Sequence, residues 1–340
     1  MRTLSLRELN RATLARQLLL ERRRLPVMRA LERVAGLQAQ WAPAPYVGLW
    51  TRIDGFRREL VERALLRRQI VRAVLMRGTV HLVSIADYIV FGAAVGEPPW
   101  LRPEAAELAE RLGDPIRSFG RQPRTRREIA EFLAREHGVD QGLSDAVWYG
   151  LRTRGRLTHA PESGFWRAPR STRYVTIDHE PADPAAARVE LVRRYLGAFG
   201  PATRADIAEW SGLRIRDLEP PLEALEPLLR FRDEHGRELL DLPRAPRPAG
   251  DAPAPVRFMP RFDNLLLSHK DRSRVLADEY RGALIQGGWV KSTFLVDGFV
   301  AGIWELEQGR VVVEPFAPLP RPVRREVAEE AERLEAWLAA

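Results

Sequence analysis

The sequence predicts an α+β chain in which tandem winged-helix (helix-turn-helix) units are followed by a small β-barrel or curled sheet. Three observations lead there. Residues 119–132 (FGRQPRTRREIAEF) and 199–210 (FGPATRADIAEW) share a Phe-Gly pair and then Thr-Arg-x-acid-Ile-Ala-Glu-aromatic, an internal repeat of a capped helix. Each copy runs on into a second helical stretch and then strand-like sequence, the order of a helix-turn-helix with its wing. Beyond a Pro- and Ala-rich segment, alternating apolar residues take over, with hairpin turns at Asp297-Gly298 and Gln308-Gly309.

Taken in order, residues 4–23 carry Leu6, Leu9, Leu14 and Leu18 at helical spacing, opened by Ser5 and Glu8 in capping-box register. Helices are expected over 27–37 and 57–68, a hairpin or wing over 69–84 with Gly78 near its turn, and a helix over 85–95. These make a first winged helix of residues 1–112. In the second unit, 113–182, Thr125 and Glu128 cap the repeat helix, 143–153 supplies a second helix, and 157–160 with 174–177 form the wing. The third, 183–242, has Thr203 with Asp206, a helix over 215–225, and strands over 228–231 and 238–242. Ordinary helical hairpins with convergent caps would leave the same local pattern. Residues 243–255 (PRAPRPAGDAPAP) hold no regular element and read as a linker. In the β-domain, 256–340, strands are expected over 256–259, 274–277, 282–286, 289–296, 299–307 and 310–316, then an amphipathic Glu-rich helix over 321–338.

At 340 residues the chain is long enough for two or three cores. It carries 54 Lys+Arg against 46 Asp+Glu, a net charge of +8 and a pI near 10.4, which points to a polyanionic partner. Only Lys270 and Lys291 are lysines. Arginine forks pair with phosphates and stack on bases, although a GC-rich genome would also favour arginine codons. Cysteine is absent, which excludes disulfides, Cys-zinc sites and thiol catalysis. The six histidines are scattered with no His-Glu-x-x-His, and neither a Walker loop nor G-x-G-x-x-G occurs. Zinc hydrolysis, nucleotide-driven and NAD chemistry therefore have no seat, and no cofactor is expected. Residues 1–17 are charged throughout, without a signal-peptide core, and the most apolar run, 88–95, is too short to cross a bilayer. A cytoplasmic protein with no membrane contact is expected, and without coiled-coil heptads, a monomer.

The oddest stretch is 36–50, GLQAQWAPAPYVGLW, where Gln38 and Gln40 sit one residue apart. On a helix such amides point apart; on an extended segment they share a face, and Pro43 and Pro45 favour extension. Two convergent amides can hold one water and face a nascent cation with their dipoles, orienting rather than deprotonating. So short a pattern is, by itself, more often a pair of surface or capping amides.

Taken with RGTVHLVS at 77–84 and PRFDNLLLSHKDRSRVL at 260–276, this stretch resembles the winged-helix DNA glycosylase family of the AlkZ/YcaQ type, which includes azinomycin self-resistance enzymes. The similarity runs over nearly the whole chain. In that family a Gln-apolar-Gln motif is catalytic, and Gln38, Ala39 and Gln40 match it. The YcaQ branch has an acid at the second position, so Gln40 places this chain with the AlkZ branch. The resemblance implies a monofunctional glycosylase that removes cationic N7-alkylguanine or N3-alkyladenine from duplex DNA and unhooks interstrand crosslinks. A crosslinked base cannot swing fully out, so an open, shallow groove is expected rather than a closed nucleobase pocket.

Candidate DNA contacts follow from charge. Residues 115–175 hold 12 arginines, no lysine and 6 acids. Arg124, Arg126 and Arg127 fall where the repeat helix begins, Arg152 and Arg154 after the next helix, and Arg170 in the wing, places where such modules meet phosphates. For any single arginine a solvated face explains as much. Arg77 and His81, and Arg261, Asn264, Ser268 and His269, belong to the stretches that carry the resemblance and complete the set. The latter four could equally pin the β-domain to the first unit. A non-catalytic tandem winged-helix DNA binder, a regulator or architectural protein, would share every one of these features except a purpose for the glutamine pair.

Overall fold

Three times over, the chain runs helix, short strand, two helices, hairpin. The computed structural model describes residues 1–96, 101–139, 145–153 and 156–340. The first set is Val27–Arg33, Leu37–Gln38, Ala44–Trp50 and Arg58–Leu66, then the hairpin Ile70–Val74 with Val80–Ser84. The second is Gly113–Phe119, Arg124–Thr125, Arg126–His137 and Asp145–Arg152, then Thr158–His159 with Arg173–Val175. The third is Pro184–Phe199, a lone bridge residue Ala202, Arg204–Ser211 and Glu219–Glu223, then Leu229–Arg232 with Glu238–Asp241. In each set the short strand pairs antiparallel with the second hairpin strand: Gln38 with His81, Arg124 with Tyr174, Ala202 with Leu240.

Local chemistry explains most of these elements. Ser5 with Glu8, Thr125 with Glu128 and Thr203 with Asp206 each close a capping box, satisfying N–H groups that a helix start leaves orphaned. Gly138 and Gly212 end their helices in the left-handed region that glycine enters without steric cost. The prolines after Gln40 behave differently from the expectation of an extended run. Pro43 occupies the N-cap of Ala44–Trp50 and Pro45 its first turn, where a missing N–H is not needed, so the chain turns into a helix soon after the strand ends at Gln38.

The first two hairpins fuse. A contact between Ala73 and Thr158 joins them into one six-stranded sheet with Leu37–Gln38 at one edge and Arg124–Thr125 at the other. The apolar cluster of the second set also takes in Leu101, Ala105 and Ala109, from ahead of residue 113, which pack with Ile116, Ile129, Leu133 and Leu151.

In the β-domain, Arg257–Met259, Thr293–Val296, Phe299–Glu307 and Arg310–Pro315 form an antiparallel sheet with two free edges. The expected barrel is therefore not closed among the described residues, and the curled sheet is what stands. Its register shifts at Phe294/Leu295, the irregularity that bends a strand. The strand expected at 274–277 is a turn, because Val275 and Leu276 both donate to the Arg272 carbonyl. That expected at 282–286 is mostly the short helix Arg281–Leu284. The helix Arg321–Ala339 closes the chain, burying Val327, Ala331 and Leu334.

The segment 243–255 has no regular element, but it is strapped down rather than loose. Arg16 donates to Pro246 O, Arg11 to Ala252 O and Arg7 to Gly250 O, all from the helix Leu6–Arg16. Fully buried arginines recur as ties between distant parts of the chain. Arg16 meets both oxygens of Asp241 at 2.7 and 2.9 Å, and Arg52 both oxygens of Asp263 at 2.8 and 2.9 Å. No helix among the described residues is long and apolar enough to cross a membrane.

Candidate functional site

The glutamine pair lies on the edge strand of the fused sheet. Ala35 and Gly36 both have positive φ, turning the chain sharply out of Val27–Arg33. A Cβ on Gly36 would stand 2.6 Å from Val83 Cγ1, so the strand can approach its neighbour this closely only with glycine there. Gln38 then pairs with His81, and Ala39 N donates to Val80 O at 2.7 Å. The ladder breaks at the next bond. Val80 N–H turns to the Gln40 side chain, its Oε1 at 3.4 Å, while Ala39 O accepts instead from Arg72 Nε at 3.0 Å. The strand itself ends at Gln38, and Gln40 lies two residues on, in a bend. Both amide oxygens accept from the same hairpin, Gln38 Oε1 from Arg77 Nη2 at 3.1 Å. Gln38 is 6% exposed, whereas Gln40 and the next residue, Trp41 at 46%, are open to solvent.

Three arginines hold this strand, and sequence reasoning had assigned a role only to one. Arg72 bridges the two fused hairpins, its Nη1 donating to Ser163 O at 2.9 Å while Nε holds Ala39. Burial pulls its pKa down to about 10, which leaves it charged at neutral pH. Arg52, through Asp263, fixes the loop beneath the motif, and Asn264 Nδ2 donates to Gly36 O at 3.0 Å. Arg77, at the hairpin tip, joins Gln38 to the carbonyl of Trp210. The partners of Arg72 and Arg52 lie far away in sequence, and no local pattern marks them.

The two candidate histidines, His81 and His269, are interior groups. His81 is fully buried; its Nδ1 donates to Thr79 O at 3.0 Å, which leaves Nε2 as a buried acceptor. Burial, and then the nearby Arg77 charge, push its pKa down to about 3, so it stays neutral. His269 donates from Nε2 to Phe199 O at 3.0 Å and accepts at Nδ1 from Ser268 Oγ at 2.8 Å; burial depresses its pKa to about 3 as well. Ser268 also receives the Tyr195 hydroxyl at its carbonyl, 2.8 Å away. Asn264, Ser268 and His269 are thus turned inward, tying the β-domain loop to the first and third sets. Arg261 is the member of that loop that reaches the surface, its guanidinium 5.9 Å from the Trp41 ring centre.

The arginines of the second set divide. Arg126 and Arg127 stand exposed in the first turn of Arg126–His137, with Arg126 2.8 Å from Asp145 and Arg127 3.8 Å from Glu131. Arg170 is exposed in the connection between the hairpin strands. Arg124 lies half-buried, 4.6 Å over the Phe119 ring, and Arg152 sits among Trp148, Tyr149 and Tyr174 at 5.3, 5.0 and 5.9 Å. Arg154 lies outside the described residues. Beside the glutamine strand, Leu75, Arg77, Gly212, Leu213 and Lys270 line a cleft of about 490 Å³. Among the described residues no cluster of His, Asp or Glu could hold a metal ion.

The family model described as DNA glycosylase AlkZ-like matches residues 31–337. An interstrand DNA cross-link repair glycosylase of Streptomyces sahachiroi is 28% identical over 326 residues, spanning 88% of this chain and 87% of that protein. The solved structure of Streptomyces sahachiroi DNA glycosylase AlkZ superposes with a TM-score of 0.82 at 24% identity, covering 98% of this chain and 97% of that one.

Proposed function

The chain belongs to the AlkZ-like DNA glycosylases, and from that premise we propose that it hydrolyses the N-glycosidic bond of cationic alkylated purines, N7-alkylguanine and N3-alkyladenine, and unhooks interstrand crosslinks built on such bases. Family membership removes the non-catalytic reading of the same features. We read the three sets of helix, strand, two helices and hairpin as winged helices, whose exposed arginines, Arg126, Arg127 and Arg170 among them, meet the phosphates of duplex DNA. The protein acts as a monomer and without a cofactor.

The observation that carries this reading is the pair Gln38, at the end of the short edge strand, and Gln40, two residues on, with both amide oxygens held by one hairpin. A purine alkylated at N7 or N3 is cationic, so the C1′–N bond breaks with its electron pair leaving on a neutral base. A water held between the two amides, donating to one oxygen's second lone pair and accepting from an amide N–H, adds through its oxygen to C1′ and gives its proton to solvent. The amide dipoles face the oxocarbenium-like sugar meanwhile. No strong base is required, which agrees with a His81 too weakly basic to serve as one.

The test is release of N7-methylguanine from duplex DNA under single turnover. Gln38→Ala and Gln40→Ala should each slow release by about a hundredfold, with DNA affinity nearly unchanged. Wild-type rates in both variants would end the proposal.

A further inference from the structure

Arg77 reaches the catalytic strand from an unusual backbone. It stands at the tip of the first hairpin with φ 56, in the left-handed region that a residue with a side chain enters at a cost, and Gly78 follows with φ 68. From there its two terminal nitrogens take separate protein acceptors. Nη1 donates to Trp210 O at 2.6 Å, at the C-terminal end of Arg204–Ser211, where a cation meets the negative end of the helix dipole. Nη2 donates to Gln38 Oε1 at 3.1 Å. The docking is close. Gly212, with φ 81, ends that helix, and a Cβ there would lie 3.3 Å from Arg77 N.

A carboxamide looks alike from both ends in shape but not in charge, so unrestrained it can turn its oxygen and nitrogen about. We propose that Arg77 is a positioning residue: clamped to the third winged helix, it fixes the Gln38 amide with its oxygen toward the arginine and an N–H donor toward the oxygen of the attacking water. This rests on the glutamine reading above. It also changes what is expected of Arg77 itself, a DNA contact on sequence grounds. Two of its five N–H donors, one on each terminal nitrogen, are held by Trp210 and Gln38, which ties the guanidinium to protein acceptors at the strand.

The experiment is a double-mutant cycle on single-turnover release of N7-methylguanine at saturating enzyme. Arg77→Met should slow release by about a hundredfold in the wild-type background, add nothing further in the Gln38→Ala background, and keep its full effect on top of Gln40→Ala. Equal slowing with and without Gln38 overturns the proposal. So does an effect confined to DNA affinity and its salt slope, the mark of a phosphate contact. If the Met variant does not fold, Arg77→Lys decides. A lysine at this half-buried spot titrates below its usual ~10.4, so its saturated rate should fall as pH rises from about 7 to 9, where the arginine enzyme stays flat. A flat profile for the lysine variant counts against positioning. Should Gln38→Ala release base at the wild-type rate, the glutamine reading fails and takes this proposal with it. Should Gln38→Ala be slow and Arg77→Met fast, only this proposal fails.

Discussion

Arg72 Nε donates to the Ala39 carbonyl at 3.0 Å, inserting a guanidinium into the peptide segment between the two glutamines. The same side chain holds Ser163 O at 2.9 Å, so one arginine sets the glutamine strand against the second hairpin. Arg72→Met leaves three carbonyls, those of Ala39, Gln40 and Ser163, without their charged donor. Unfolding free energy should drop by about 2 kcal/mol, read from urea denaturation, because buried acceptors lose their partners. Base release should slow as well, by about tenfold or more, since Gln40 is no longer held in line. A variant as stable and as fast as the wild type would show that this bridge matters to neither.

How far such relationships can be read from sequence depends on their range. The capping boxes at Thr125 and Thr203 involve residues three apart and were legible as spacing; both formed. The first set has the same element order as the other two but was not recognisable as a copy. Its strand-to-helix junction, Gln40-Trp41-Ala42-Pro43, starts the helix with proline instead of a threonine cap. An extended segment carrying both Gln38 and Gln40 was the expectation from period and neighbouring prolines; the strand ends at Gln38, Gln40 sits in a bend, and the prolines begin a helix. Arg72 and Arg77 escaped assignment to the strand because Ser163 and Trp210 lie 91 and 133 residues away from them. The stretch that carries the resemblance marked His269 and Asn264 either as DNA contacts or as pins for the β-domain, and packing turns them inward.

Acid should weaken the fold through His81. Its pKa in the folded protein is depressed to about 3, against about 6.5 unfolded, so the unfolded chain binds more protons between those values. The stability contribution is complete above pH 6.5 and is lost progressively as pH falls toward 3. At pH 5 that loss amounts to about 2 kcal/mol from this one group. His81→Gln should show a correspondingly smaller drop in urea midpoint between pH 7 and pH 5. An equal drop in both proteins would mean that His81 is not the group responsible.

Asp263 illustrates a different dependence. Both of its oxygens meet the buried Arg52 guanidinium, and one also accepts from Leu265 N at 3.0 Å. Asp263→Ala strands a buried positive charge under the glutamine strand, and breaking such a pair from one side costs about 3–5 kcal/mol. Circular-dichroism melts should register a large fall in midpoint. Asp263→Ala with Arg52→Met should recover part of it, because the stranded charge is gone. No recovery in the double variant would argue that the loop, not the charge, was lost.

Trp41 is the residue we expect to touch DNA nearest the chemistry. It follows Gln40 directly and is 46% exposed, an unusual position for so large an apolar ring, with Arg261 lying 5.9 Å from its centre. The packing it gives up in the free protein is small, so Trp41→Ala should leave the melting midpoint almost unchanged. A ring at this place can stack on a base or sugar of the bound duplex, and one such stack is worth about 1–3 kcal/mol. Affinity for lesion-bearing duplex should therefore fall by about tenfold in Trp41→Ala. Trp41→Phe should restore most of the loss, since a smaller ring keeps its face. Arg261→Ala should lower affinity too, with a shallower dependence on salt, because it removes a cation rather than a stacking surface. If Trp41→Ala binds as tightly as the wild type while Arg261→Ala does not, the ring serves only to hold the arginine out, and the contact is electrostatic.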